Sequence, residues 1–399
     1  MRPIQLGVLR TAISVAPVLF PACILLLPIF LTIGFRWATL RISDKGQRIV
    51  WAVYRGLGRF ILAATIAGWW VIWDLHGRSE LLSIAIHNWP GTLEKSSAEN
   101  LVFWLAPTVS LAIFLILCYT TDRTLLRQRW STSELMSRAW WRIVSFVIPL
   151  LMVAVGFETI FDGKAWAIVW LLSAGIVAKI GTGFLRRAEG MKFNRLRSGE
   201  LRNRALNMAR QMGVTLGRVY IVPAGKGHLT NAYGMSNAIG LTDNLGKYLT
   251  KAQVDYVIAH ELAHVNLKHG RKHLVLVFAI FSFLTLALFG FSKHALFFRP
   301  VVQLAVIIGP LVAIYYVSRR FEYAADRAAV DFTGEPETAV RALANLHKIH
   351  EVPAQYDRFT ELFMTHPALV SRVQAIADAS QMPTHRLTDI LDDVGLAEV

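Results

Sequence analysis

The pentapeptide His260-Glu261-Leu262-Ala263-His264 is the first place in this chain where residue type and spacing together make chemistry. On a helix its two histidines stand one turn apart on the same face, with roughly 6 Å between Cβ atoms, so both imidazoles reach one tetrahedral cation. The carboxylate between them then addresses a water at that cation, as a general base does. Thr250 precedes Gln253 by three residues, a capping-box spacing. It predicts a helix that opens at Thr250 and runs to about His273.

Two histidines leave a third ligand to find. The metzincin pattern requires Gly seven and His ten positions after the first histidine, and those positions hold Leu267 and Gly270. On a continuous helix His269 would point about 180° away from His260, so His269 and His273 read as surface or supporting residues. A later segment, Glu322-Tyr323-Ala324-Ala325-Asp326, offers two carboxylates four apart on one helical face. Glu322 is the candidate third ligand, and Asp326 is placed to accept a hydrogen bond from a ligating imidazole. Ala324 and Ala325 permit close helix approach. The implied cofactor is one Zn2+ per chain, held by His260, His264 and Glu322.

The elements that must position these residues cross a membrane. The 399 residues are 54% hydrophobic and 17% charged. That composition excludes a disordered, collagen-like or disulfide-stapled chain. Cys23 and Cys118 both lie inside apolar runs and read as small buried residues. A bilayer core about 30 Å thick takes roughly 20 apolar residues in helix. Stretches near 12–35, 50–73, 101–120, 140–160, 165–182, 274–291 and 298–318 meet or approach that length. The first is about twice as long as a secretory signal's apolar region and reads as a retained span. Arg55 and Arg59 fall in the first half of the second stretch, where they would snorkel or face the bundle interior. Trp69-Trp70 and Trp140-Trp141, near span ends, read as interfacial anchors.

The chain carries 42 Lys and Arg against 27 Asp and Glu, a net charge of +15. In a soluble protein such a balance points to nucleic acid. Here the basic residues fall in alternate loops: Arg36 to Arg48, Arg123 to Arg142, Arg186 to Arg204, then Arg319 and Arg320. The loops between them hold only Arg78, Lys95 and Lys164. The positive-inside rule therefore places the N-terminus outside and the C-terminus in the cytoplasm. No nucleic-acid partner is expected; the partners are a lipid bilayer and a substrate.

The expected division is a five-span region at 1–183, a polar half with the HExxH helix at 184–273, a transmembrane hairpin at 274–318, and a helical half with the third ligand at 319–399. In the polar half, Glu200 to Met212 has a helical pattern stopped by Gly213. Val219 to Pro223 and Ala238 to Thr242 read as strands of a small sheet, separated by the Gly-rich stretch Ala224 to Gly227 and a polar segment around Asn231. Two crossings, joined by a short loop around Phe297, return the chain to the side it left, which is the condition for Glu322 to meet His260.

With these residues in view, the chain resembles the gluzincin-type integral-membrane zinc endopeptidases that include the CAAX prenyl endopeptidase and the bacterial heat-shock membrane protease. The resemblance rests on HExxH at 260–264, the hairpin, and ExxAD at 322–326. Asn231-Ala232-Tyr233 with Ile239-Gly240-Leu241-Thr242 is similar to the family's edge strand, and Thr365-His366-Pro367 with Arg372 to its C-terminal His-Pro element. By topology the chain is closer to the seven-span CAAX branch. The resemblance implies a mainly α, polytopic membrane protein of about seven transmembrane helices, with a cytoplasmic zincin-like domain containing a small β-sheet. It implies that His260, His264 and Glu322 ligate zinc, that Glu261 is the general base, and that Asp326 orients a ligand. His366, at an expected helix start, would donate to the tetrahedral oxyanion. Asn231 would present backbone groups to an extended substrate, and Arg372 would hold either substrate or a structural carboxylate. The substrate would be a peptide or membrane protein. A non-catalytic seven-span transporter or assembly factor with a structural zinc site is the competing expectation.

Overall fold

In a computed structural model of the chain, residues 3–42, 44–75, 95–125, 128–161, 164, 166–224, 230–235, 237–291, 299–350 and 353–396 are described. Lipid offers the backbone no hydrogen-bond partner, so the apolar stretches satisfy themselves as helices. These are α1 (Pro3–Thr39), α2 (Asp44–Leu75), α3 (Lys95–Leu125), α4 (Thr132–Arg142), α5 (Ile148–Phe161) and α6 (Ala167–Ala188). α4 and α5 form one rod through a π-helical turn at Ile143–Val147. Gly181 of α6 packs on that turn, where an added Cβ would stand 2.7 Å from the Ser145 backbone nitrogen. Small residues allow such backbone contact between membrane helices.

Six helices among the described residues are long and apolar enough to cross a membrane, at Pro21–Thr39, Val53–Trp73, Phe103–Leu125, Thr132–Ile160, Ala167–Ala188 and Pro300–Thr333. They coincide with six of the predicted stretches. The remaining one, 274–291, falls on α10 (His269–Phe291), and side chains over much of its second half lie outside the described residues. The loop around Phe297, the Gly-rich stretch after Ala224 and Arg78 also lie outside them. On α6, Ile168, Leu172, Ile176 and Ile180 are exposed at intervals of four, an apolar stripe suited to lipid. Cys23 is exposed and Cys118 buried. Trp69 and Trp70 correct the anchor reading: both are buried, and the indole N–H of Trp70 is taken by Glu158. Trp140 is exposed, while Trp141 stacks on Phe184.

The polar half supplies β1 (Asn194–Arg195), α7 (Glu200–Gln211), β2 (Arg218–Val222), β3 (Ala232–Met235), β4 (Ala238–Thr242), α8 (Leu245–Tyr248) and α9 (Lys251–Asn266). The sheet order is β1-β2-β4-β3, with β2 and β4 parallel and β3 antiparallel to β4, so β3 is an edge. After α10 come α11 (Arg299–Thr333), α12 (Pro336–His350), α13 (Arg358–Leu362), α14 (Leu369–Ala379) and α15 (Thr384–Asp393). Two cores result. One joins α2 to α6 through Trp51, Leu111, Phe114, Leu151 and Phe157. The other joins α7, the sheet, α9, α12, α14 and α15 through Ile239, Ile258, Val340 and Ile376. α11 enters both, with Ile307 in the first and Ala329 in the second.

Candidate active site

α9 opens as the capping-box spacing predicts: Thr250 Oγ1 accepts from the Gln253 backbone, and the Gln253 side chain returns a bond to the Thr250 N–H. Its end differs from expectation. The helix stops at Asn266, Lys268 takes a left-handed backbone (φ 54°), and α10 starts at His269. A lysine in that region is uncommon, and the kink has a structural result. It turns His269 back onto the site, with Nδ1 2.8 Å from Nδ1 of His264.

α11 packs along α9 and brings the third group. His260 Nε2 lies 3.1 Å from His264 Nε2 and 3.7 Å from Glu322 Oε2, and His264 Nε2 lies 3.5 Å from Glu322 Oε1. One donor atom from each of the three residues can be chosen so that all lie within 4.8 Å of one another. Two imidazoles and a carboxylate are donors that suit zinc, three in number as in a site that keeps a position for reaction. A network of side-chain contacts holds them. The Asp326 carboxylate lies 2.9 Å from His260 Nδ1 and accepts from the buried Tyr256 hydroxyl at 2.8 Å. Arg372 clamps Asp326 with two bonds of 2.8 and 2.6 Å and reaches Glu322 at 3.4 Å. His269, 4% exposed, stacks flat on Phe321 at 4.0 Å.

Burial, then the His260 ring, pushes His264 down to about 3, and burial with Lys272 lowers His269 to about 4. Both rings are therefore neutral near pH 7, the form a ligand and its hydrogen-bond acceptor require. Burial disfavours charge on His260 as well, but the Asp326 carboxylate overrides it and raises that pKa. Glu261 is also pushed up, first by burial, against an opposing bond from the Gly234 backbone N–H. Gly234 lies so close that a Cβ there would stand 3.0 Å from Glu261 Oε2.

His366 Nδ1 is 3.1 Å from Glu322 Oε2, and its ring is 67% exposed. It does not start a helix: α14 begins at Leu369 with Ala368 as its cap. The strap before it is held by Arg319, whose guanidinium donates to the carbonyls of Glu361 and Met364 at 2.8 Å each. Asn231 corrects expectation. Its carbonyl accepts from the Thr242 N–H and its N–H donates to Thr242 Oγ1, so its backbone faces β4. By strand alternation Ala232 and Gly234 face the free edge, where Asn231 Oδ1 holds the Ala232 N–H. For Arg372, the bonds go to a structural carboxylate. His269 takes the supporting role that the sequence left open, whereas Tyr256, Arg319 and Gly234 were missed as site residues; Tyr256, four before His260, could have been found from helical spacing. All these groups except Arg319 and Asp326 line one cleft of about 1280 Å³, beyond the roughly 300–1,000 Å³ of small-molecule pockets.

A polytopic helical bundle carrying a His-Glu-His helix and a distant ligand carboxylate over an open sheet edge defines a class, the membrane metallopeptidases. Comparison with known proteins narrows it. Residues 195–380, which hold every group named above, match the sequence model of Peptidase family M48. The chain is 24% identical over 233 residues to a protease HtpX homolog of Campylobacter hominis, covering 49% of this chain and 81% of that protein. It is 25% identical over 213 residues to one of Pyrococcus furiosus, covering 44% and 72%. A crystal structure of S. mikatae Ste24p superposes with a TM-score of 0.54 at 16% identity, over 90% of this chain and 98% of that one. The chain is thus a multi-pass membrane metalloprotease that resembles Peptidase family M48 over residues 195–380, and the transporter expectation is set aside.

Proposed function

We propose that this protein is a zinc endopeptidase that cleaves membrane-associated proteins or peptides at the cytoplasmic face, with its N-terminus outside. One observation carries the reading: ligand atoms of His260 and His264 on α9 and of Glu322 on α11, far apart in sequence, lie within 4.8 Å of one another. The basic loops carry the orientation. Zinc held by these three residues would leave a position for water, lower that water's pKa towards about 7 and polarise the scissile carbonyl.

The protein's own groups do the rest. Glu261, aimed by the Gly234 N–H, takes the proton of the attacking water and passes it to the leaving amine. Asp326 fixes the His260 tautomer with Nε2 turned to the site, and His269 does the same for His264. The Ala232 and Gly234 carbonyls, at the free edge of β3, accept from an extended substrate by strand addition. His366 donates to the oxygen that gains charge as the carbonyl becomes tetrahedral. Arg372 neutralises Asp326 and half-supports Glu322.

The test is Glu261→Gln. It should keep one zinc per chain by metal analysis and lose about 10²–10⁴ in casein hydrolysis, matching the effect of a chelator on the parent. Wild-type cleavage by this variant would refute the role. Proteomics of membranes holding active enzyme or Glu261→Gln would then identify natural substrates.

A further inference from the structure

Five arginines line the cleft, Arg59, Arg142, Arg186, Arg271 and Arg372. Arg55 pairs with Asp122 at 3.4 Å, Arg142 with Glu189 at 3.2 Å, and Arg372 with Asp326 at 2.6 Å. Arg59, one turn beyond Arg55 on α2, pairs with no described carboxylate. Among the described residues its one polar partner is the Tyr315 hydroxyl at 3.5 Å. It belongs to the candidate span Val53–Trp73, between the buried Tyr54 and Phe60. Even so, its side chain is exposed, and it lines the same cleft as His260, Glu322 and His366.

The surrounding packing fixes where it stands. The Phe60 ring meets Tyr315 at 5.1 Å and Phe363 at 4.5 Å, both edge-on. Gly56 makes room for Met364, since a Cβ there would lie 2.7 Å from its Cε. Two residues past Met364 comes His366. This face of α2 thus lies against the strap that carries His366, with Arg59 beside it. A guanidinium within a membrane span is retained at a cost unless something anionic meets it. No described carboxylate does so, whereas neighbouring Arg142 already has Glu189.

We propose that Arg59, held from behind by the Tyr315 hydroxyl, forms an anion subsite of the cleft that binds a carboxylate of the peptide substrate. The proposal rests on the endopeptidase reading above and adds the chemical character of what is cleaved. The guanidinium fork fits a carboxylate in two bonds, and the buried Tyr315 hydroxyl accepts from Arg59 and steadies it. The carboxylate is either the chain terminus or an Asp or Glu side chain. Peptides lacking both would bind the cleft through β3 alone.

Binding separates this from catalysis. Full-length Glu261→Gln in phosphatidylcholine nanodiscs would be titrated with four labelled peptides of one sequence, with Glu or Gln inside and a free or amidated end. Carboxylate-bearing peptides should bind about ten- to a hundredfold more tightly than the fully neutral one, and the series shows which carboxylate matters. Adding Arg59→Gln should abolish that difference while leaving the neutral peptide's Kd unchanged, which also shows that the fold survives. Arg59→Lys should restore part of it. Equal affinities in the Arg59 form, a preference that survives Arg59→Gln, or a loss shared by the neutral peptide would each overturn the subsite. So would a preference abolished by adding anionic lipid, because Arg59 would then hold a lipid phosphate. Failure of the wild-type chain to cleave peptides that do bind counts against the endopeptidase reading instead.

Discussion

The membrane half and the peptidase half of this protein obey different constraints. Lipid asks of a helix only length and apolarity, and many sequences satisfy it. A shared metal position asks for particular donors at particular separations. The comparisons divide along the same line: the family model matches residues 195–380, around the site, while the resemblance in fold to Ste24p extends over 90% of the chain. The two halves meet in α11, whose Ile307 packs in the helical core and whose Glu322 reaches the histidines. Substitutions should therefore fail differently in the two halves: chemistry lost at one end, stability alone at the other.

The largest effect tests the ligand set. Glu322→Ala leaves two imidazoles, so the protein should retain no stoichiometric zinc after dialysis and show no peptide hydrolysis. Full metal content in that variant would break the proposed site and, with it, the contrast between the halves.

Next comes the support of that carboxylate. Asp326 is buried and the Arg372 side chain 14% exposed, and removing one partner of a buried pair costs about 3–5 kcal/mol. Arg372→Ala strands Asp326 in the peptidase core. Thermal unfolding in detergent should show a large drop together with lost activity. The double variant Arg372→Leu, Asp326→Asn should recover much of the stability but not the activity, because Asp326 also orients His260. Recovery of both would reduce the pair to simple packing.

What could be read from the sequence follows the same division. The start of α9 was legible because a capping box is local chemistry; its end was not. Nothing in Leu267-Lys268 signals a break. The kink is supported by distant partners, the Phe321 ring beneath His269 and the His264 nitrogen beside it. Arg319 looked like one more basic residue at a span end, yet it is buried with three strap carbonyls within reach. Trp69 and Trp70 looked like anchors because periodicity near a span end cannot tell a ring facing head groups from one facing another helix. Arg372 stayed open between two roles because its partner, Asp326, lies 46 residues away.

His269 sharpens the boundary of the site. A supporting partner of a metal ligand is worth about 10–100-fold in metal affinity. His269→Phe keeps the stack on Phe321 and removes the acceptor for His264. Competition with a chromophoric chelator should show zinc affinity falling within that range, and saturating zinc should restore most of the turnover. An unchanged affinity would make His269 a packing residue only, despite its 2.8 Å approach.

The smallest effect belongs to the other half. Trp70 is fully buried and gives its indole N–H to Glu158, which also receives the Gln303 amide at 3.3 Å. Trp70→Phe removes one hydrogen bond and part of a ring while Gln303 stays in place. The expected loss is about 1–3 kcal/mol, visible as a lower unfolding midpoint in detergent. Zinc content and kcat/KM should equal the parent's, since neither Trp70 nor Glu158 lines the cleft. A fall in kcat/KM with an unchanged midpoint would mean that this polar contact, placed in the helical core, is coupled to the metal site through α11. The two halves would then work as one device and the distinction between them would fail.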